Sequence, residues 1–278
     1  MFFLLLSILT SALIAVMMRL SSDKVKNPLS MLFANYLACT VLGILYTDFK
    51  IFLPQEPKFY TTLGLGLFNG ALFLTSFVTY QRNTAKNGIV LSSIFMKLGL
   101  LVPMVLSIAF FHEIPSLIQI IGFILAVAAI FLINYQKGNQ KQKLAFSLIL
   151  LLFLGGSCDA MSKVYNVLGT EALSDQFLLF TYGTAFLLCS CLVIAKKERP
   201  GIREFIFGTL IGVPNFFSTK FMLGALTTIP AVVAYPTFSV CTMLMVTLAG
   251  TLFFREKLNK YQWIALGIIL VALVLLNV

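Results

Sequence analysis

The chain is a succession of ten apolar runs, near residues 1–20, 28–47, 59–80, 86–111, 115–135, 143–164, 175–195, 204–226, 230–254 and 260–277. A run of roughly 20 residues crosses a hydrocarbon layer of about 30 Å as a helix. In that layer no water bonds the backbone amides, so a spanning segment satisfies them internally as a helix or is closed into a barrel. Barrel strands alternate apolar and polar residues, whereas these runs are apolar on all sides, so helices are the economical reading. The expectation is an all-α integral membrane protein with ten transmembrane helices, short connections and no attached soluble domain. A composition of 59% hydrophobic and 11% charged residues, with a mean hydropathy of +0.98, excludes a soluble globular domain. Met1 to Val16 has no basic leader and nine further runs follow, so it is expected to be a retained first helix.

The second constraint is an internal copy. Phe110, Phe111, Glu113, Gln119 and Asn134 recur as Phe253, Phe254, Glu256, Gln262 and Asn277, all at one offset (256 − 113 = 143). Toward the front of each half the offset grows, pairing Gly66 with Gly212 and Asn69 with Asn215 (215 − 69 = 146), and Phe95 returns to Phe238 at 143. A gain or loss of three residues between spans three and four accounts for the drift. The halves are residues 1–136 and 143–278. Each carries five spans, an odd number, so the second copy inserts upside down and the two form inverted five-helix repeats. In such proteins the substrate site lies at the repeat interface near mid-bilayer, which points to a carrier.

A net charge of +10 raises nucleic acid as a partner, but the basic residues sit mostly in short connections, where they meet lipid headgroups instead. Arg19, Lys24 and Lys26 follow span one; Arg82 and Lys86 follow span three; Lys137, Lys141 and Lys143 follow span five. Lys196, Lys197, Arg199 and Arg203 follow span seven, and Arg255, Lys257 and Lys260 follow span nine. The opposite loops offset Lys50 and Lys58 with Asp48 and Glu56. The expected location is therefore the cell membrane, multi-pass, with the basic loops cytoplasmic and both termini outside. The five cysteines (Cys39, Cys158, Cys189, Cys191, Cys241) fall inside spans and act as small apolar side chains. Neither a metal nor a cofactor is implied.

The segments Phe110-Phe111-His112-Glu113 and Phe253-Phe254-Arg255-Glu256 are each followed by a helix with Gly122 or Gly267 early in it. This double helix, glutamate, helix pattern resembles the drug/metabolite transporter superfamily, in its ten-helix EamA-like branch, and the resemblance covers essentially the whole chain. It implies an alternating-access carrier whose central cavity is lined by helices one, three, four, six, eight and nine, and whose relatives mostly move metabolites, amino acids or drugs outward. Two features depart from the family. Many relatives are read with cytoplasmic termini, and the family's first-helix tryptophan is absent, Trp263 being the only one.

Lys97 is the sharpest candidate for substrate contact. It lies roughly ten residues into span four, about 14 Å from its start and close to the midplane. A lone ammonium there costs at least about 2.5 to 3.5 kcal/mol on insertion scales, so it faces a wet cavity or a partner. Its functional reading is a ligand for a substrate carboxylate or phosphate, with Ser93 one turn earlier on the same face. The structural alternatives are an ion pair with Asp159 or snorkelling.

Asp159 and Lys163 are four apart in span six with the acid first, the favourable order for an intrahelical pair, and Asp159 is also the candidate for proton coupling. Lys220 is either a second anion ligand or a headgroup contact. Asn69 and Asn215 could read a polar substrate from two sides or bond between helices. Tyr235 and Phe238 could stack on a substrate or form an apolar wall.

Gly66 with Gly70 and Gly208 with Gly212 make small-xxx-small patterns that let helices approach closely. Pro103, Pro214, Pro230 and Pro236 can break or bend spans. An enzyme is disfavoured: phosphate-loop and HExxH motifs are absent and His112 is the single histidine. The expected function is secondary active export of a small polar metabolite carrying a carboxylate or other anionic group, such as an amino acid or organic acid. The alternatives are a multidrug or cation exporter and a lipid-phosphate carrier or flippase. Whether the protein is a monomer or a homodimer is left open by the sequence.

Overall fold

A computed structural model describes residues 1–21, 24–87, 92, 95–96, 98–112, 114–133, 146–253 and 260–276. Among them are ten α-helices, the first three being α1 (Phe2–Ser21), α2 (Pro28–Tyr46) and α3 (Phe59–Asn87). Then come α4 (Leu101–Phe111), α5 (Leu117–Ile133), α6 (Phe146–Leu168) and α7 (Ser174–Ala195), the last preceded by a 3-10 turn at Glu171–Leu173. The last three are α8 (Ile202–Leu226), α9 (Ala231–Phe253) and α10 (Lys260–Leu276). Seven stretches, falling in α1, α2, α3, α6, α7, α8 and α9, are long and apolar enough to cross a membrane. Among the described residues the expected spans four and five answer to shorter apolar helices, α4 and α5, and α3 runs on to Asn87, taking in the start of span four.

Local chemistry sets several helix ends. The Asn27 carboxamide oxygen accepts the backbone N–H groups of Leu29 (3.1 Å) and Ser30 (3.2 Å), and Pro28 occupies the first turn, where its missing N–H costs nothing. At the start of α5, Ser116 N–H donates to Gln119 Oε1 (3.0 Å) while Gln119 N–H donates to Ser116 Oγ (3.2 Å), a reciprocal capping box. Glu113 and Glu256 lie outside the described residues. Of the four prolines, Pro214 and Pro236 lie inside continuous helices, Pro103 sits in the first turn of α4, and Pro230 precedes α9, so none of them breaks a helix outright.

The chain divides into two compact units, Met1–Leu74 with Met161–Thr227, and Thr75–Ala160 with Thr228–Val278. In the first unit, α2 and α7 run antiparallel, because residues that rise along α2 meet residues that fall along α7. Phe33 faces Phe186 (ring centroids 5.2 Å), Tyr36 faces Tyr182 (6.5 Å), and Gly43 lies against Leu179. Tyr36 and Tyr182 are themselves separated by the repeat offset (182 − 36 = 146).

The small-residue patterns do what their spacing predicts. Gly208 and Gly212 on α8 lie directly on α2: a Cβ on Gly212 would stand 2.6 Å from the Asn35 carbonyl oxygen. Gly66 and Gly70 on α3 lie on α7, where a Cβ on Gly66 would stand 2.6 Å from the Phe180 Cβ. The packing also corrects the sequence register by one turn. Gly66 meets Phe177, Phe180 and Thr181, whose counterparts Met31, Ala34 and Asn35 (177 − 31 = 146) are met by Gly208, not by Gly212. Seen by contact, α3 and α8 correspond at 208 − 66 = 142 rather than 146. Helix α1 joins α8 through a reciprocal pair, Ser7 Oγ donating to the Ser218 carbonyl (2.8 Å) and Ser218 Oγ to the Ser7 carbonyl (3.3 Å).

In the second unit α5 packs along α10, with Gly122 set against Ala272 and Leu275. Ala126, Ala129, Val240, Ala272 and Leu276 form its buried core. The end of α3 is tied to the start of α6, Asn83 Nδ2 donating to the Ser147 carbonyl (3.0 Å) and Ser147 Oγ to Asn83 Oδ1 (2.8 Å).

Candidate functional site

Polar side chains inside apolar helices are costly unless bonded, so their partners locate the candidate site. In the first unit they form a connected set across α2, α3, α7 and α8. Asn215 donates through Nδ2 to Asn35 Oδ1 (3.1 Å), and the same oxygen accepts the Cys39 thiol (3.4 Å). The Asn215 carbonyl accepts from the Tyr182 hydroxyl (3.3 Å), which also bonds Thr219 Oγ1 (2.7 Å). One residue away on α7, Thr181 Oγ1 accepts from Asn69 Nδ2 at 3.4 Å. Asn69 is 1% exposed, and its carboxamide oxygen has no hydrogen-bond partner among the described residues.

Around this polar set stands an aromatic group. The Tyr182 ring lies between Phe73 (5.7 Å) and Phe216 (6.0 Å). Phe216 and Phe217 in turn pack against Tyr46, the last residue of α2, at 5.6 and 5.7 Å. Over the face of Tyr46, 3.8 Å from its centroid, sits the Lys220 ammonium. Its other partner is Asp175 Oδ1 at 2.5 Å, and both charged side chains are 28% exposed. At that exposure the ion pair is worth about 0.2 to 1 kcal/mol. The ring face adds a further attraction of about 0.5 to 1 kcal/mol.

In the second unit, Tyr235 is 3% exposed and its hydroxyl donates to the Asp159 backbone carbonyl (2.6 Å). Phe238 is half-buried and the Asp159 side chain is exposed. Lys163, one turn further along α6 and already in the first unit, is 9% exposed. Lys97 and Ser93 lie outside the described residues.

The first unit thus brings Asn69, Asn215 and Lys220 into one neighbourhood, and the second brings Tyr235 to Asp159. Residues the sequence reading passed over are Asn35, Tyr46, Asp175, Thr181 and Tyr182. Two signals pointed to them: Asn35 is an amide within an apolar run, and Tyr36 with Tyr182 repeats at the offset already found for Asn69 and Asn215. Asp175 carried no such signal, since an acid in the first turn of a helix is ordinary dipole compensation. Among the described residues no group of three His, Cys, Asp or Glu side chains is placed to hold a metal ion.

Comparison with known proteins gives concordant findings. The model of the EamA-like transporter family matches residues 1–135 and again residues 145–278. An uncharacterized protein of Haemophilus influenzae is 25% identical over 233 residues, covering 82% of this chain and 76% of that one. A solved crystal structure superposes with a TM-score of 0.71 at 13% identity, covering 99% of this chain and 98% of the other, a likeness of fold.

Proposed function

Because the chain belongs to the EamA-like transporter family, and is therefore a multi-pass membrane transporter of the drug/metabolite type rather than an enzyme class, we propose that it is a secondary active carrier exporting a small polar metabolite with a carboxylate or other anionic group. Its frame is ten transmembrane helices in inverted five-helix repeats, residues 1–136 and 143–278, working by alternating access. Support for the inversion comes from α2 and α7, which correspond at offset 146 and run antiparallel through Tyr36 and Tyr182.

The observation that carries the substrate class is Lys220, a helix-embedded ammonium set on an aromatic face with part of its surface open. Ionisable side chains within spanning helices are rare and mark solute paths. Lys97 with Ser93 supplies the second anion contact, Asn69 reads a polar group while Asn215, bonded to Asn35, sets the frame beside it, Tyr235 and Phe238 contact the substrate, and Asp159 couples protons. In this reading the protein lies in the cell membrane with its basic loops cytoplasmic and both termini outside.

Counterflow in proteoliposomes tests this reading with amino acids, organic acids, nucleotides, amines and short-chain lipid phosphates, on wild type and Lys97→Ala. One soluble anionic class should exchange in the wild type and fail to exchange in Lys97→Ala. Exchange of amines alone would move the cation-exporter reading ahead, and exchange of lipid phosphates alone the flippase reading. Unchanged apparent affinity in Lys97→Ala would remove that lysine from the site.

A further inference from the structure

Lys220 presents its ammonium to two partners of different kinds, the Asp175 carboxylate at 2.5 Å and the face of the Tyr46 ring at 3.8 Å. The ring is held in place by Phe216 and Phe217, so it stays. The carboxylate is the very group that an anionic solute would bring. Both side chains keep 28% of their surface open, and ion pairs this exposed hold weakly because water screens them. We propose that Asp175 is an internal competitor: its carboxylate occupies the anion subsite formed by Lys220 and Tyr46 until the anionic group of the transported molecule takes its place. This rests on the proposed carrier function and adds a residue that opposes substrate binding.

The exchange is balanced. One charge-assisted hydrogen bond to the ammonium is lost and an equivalent one is made. Lys220 keeps its place over Tyr46 throughout. Once released, Asp175 remains in the first turn of α7, where unpaired backbone N–H groups and the helix dipole favour a negative charge, so the displaced carboxylate is not stranded. Because Asp175 belongs to α7 and Lys220 to α8, while Tyr46 ends α2, substrate binding removes the ion-pair tie between α7 and α8, which Tyr182 still joins through Asn215 and Thr219, and leaves Lys220 on Tyr46. The device occurs in one copy of the repeat only. The residues corresponding to Asp175, Lys220 and Tyr46 at offset 146 are Leu29, Leu74 and Leu192 (175 − 146 = 29, 220 − 146 = 74, 46 + 146 = 192), and at the packing offset of 142 Lys220 corresponds to Val78. All are apolar.

The test is thermal-shift titration of the detergent-purified full chain with glutamate, succinate, citrate and dihexanoyl phosphatidic acid. The proteins are wild type, Asp175→Asn, Lys220→Met and the double variant. For the anion that stabilises wild type, Asp175→Asn should half-saturate at a lower concentration, by up to about fivefold, the ceiling set by the strength of an exposed pair. Lys220→Met should need about tenfold more or fail to saturate. The double variant should match Lys220→Met, since without the ammonium the competitor has nothing to compete for. Whether the soluble acids or the phosphatidic acid give this pattern tells whether a solute or a lipid headgroup supplies the anion.

Weaker binding by Asp175→Asn than by wild type, or a gain that persists in the double variant, overturns the proposal. Asp175→Ser removes the charge yet keeps a hydroxyl for the first turn, and it carries the same test where Asp175→Asn does not fold. If neither folds, Asp175 is a structural partner and the proposal falls. Stabilisation of wild type by none of the four anions defeats the anionic-substrate reading itself. Stabilisation of wild type without tightening in Asp175→Asn defeats the competitor alone.

Discussion

Two glycine seams in the first unit use the same device and finish it differently. Where α8 crosses α2, Gly208 and Gly212 bring the backbones together and the Asn215–Asn35 amide bond closes the contact at 3.1 Å, with the single Cys39 thiol proton within reach of both Asn35 Oδ1 (3.4 Å) and the Gly212 carbonyl (3.2 Å). Where α3 crosses α7, Gly66 and Gly70 make an equally close approach, but the bond between Asn69 and Thr181 is 3.4 Å long and the Asn69 carboxamide oxygen is left without a partner among the described residues. Backbone proximity is therefore equal at the two seams and polar satisfaction is not. A buried amide with an idle acceptor is the costlier arrangement for a static joint. That difference makes α8 on α2 the better bonded seam and leaves α3 on α7 with an unused acceptor.

The largest effect should come from filling the seams. Gly212→Leu and Gly70→Leu each put side-chain atoms where backbone carbonyls already stand, and overpacking of this kind costs about 1–3 kcal/mol or more. Both variants should lose most folded protein on size-exclusion chromatography. Gly64→Leu is the control on the same helix as Gly70, because nothing lies within 4 Å of a Cβ there, and it should elute like wild type. Loss of folding in only one of the two seam variants would break the equality of the approaches.

Next in size is Asn215→Ala. It removes the donor to Asn35, whose own side chain is 8% exposed and keeps only the weak thiol donor. Between membrane helices such bonds average about 0.6 kcal/mol and reach about 1.7. A cost near the upper end is expected here, read as a lower detergent melting temperature. Asn35→Ala should cost a similar amount, and the double variant should cost less than the sum.

Much of this arrangement was legible in the chain. The apolar runs located the helices because length and hydropathy are sufficient when the solvent is lipid. The glycine spacings foretold the seams because a missing Cβ has few uses inside an apolar helix other than close approach. The register between the halves was misjudged by one turn for a physical reason. At offset 142 both glycines find a glycine, at 146 only Gly66 does, but the 146 register also aligns Asn69 with Asn215, and the residues the glycines touch, Phe177 and Thr181 against Met31 and Asn35, decide for 142. Lys220 stood out as a charge in an apolar run, but its partner did not, since Asp175 is distant in sequence and sits where any helix accepts an acid. Tyr46 likewise reads as an interfacial aromatic until the lysine is seen above it.

The smallest effect belongs to Asn69, and it sharpens the contrast between the seams most. If the α3–α7 joint is held by its glycines, Asn69→Ala removes one long hydrogen bond and an idle acceptor at once, and the two changes offset each other. The expected cost is about 0.6 kcal/mol or less, a shift in melting temperature well under that of Asn215→Ala. The function of the amide should then appear in binding rather than in stability. Counterflow by Asn69→Ala should need a higher substrate concentration for half-maximal exchange while the protein melts nearly as wild type does. A melting temperature lowered as far as that of Asn215→Ala, with half-maximal concentration unchanged, would make Asn69 a structural bond like Asn215 and leave the two seams alike.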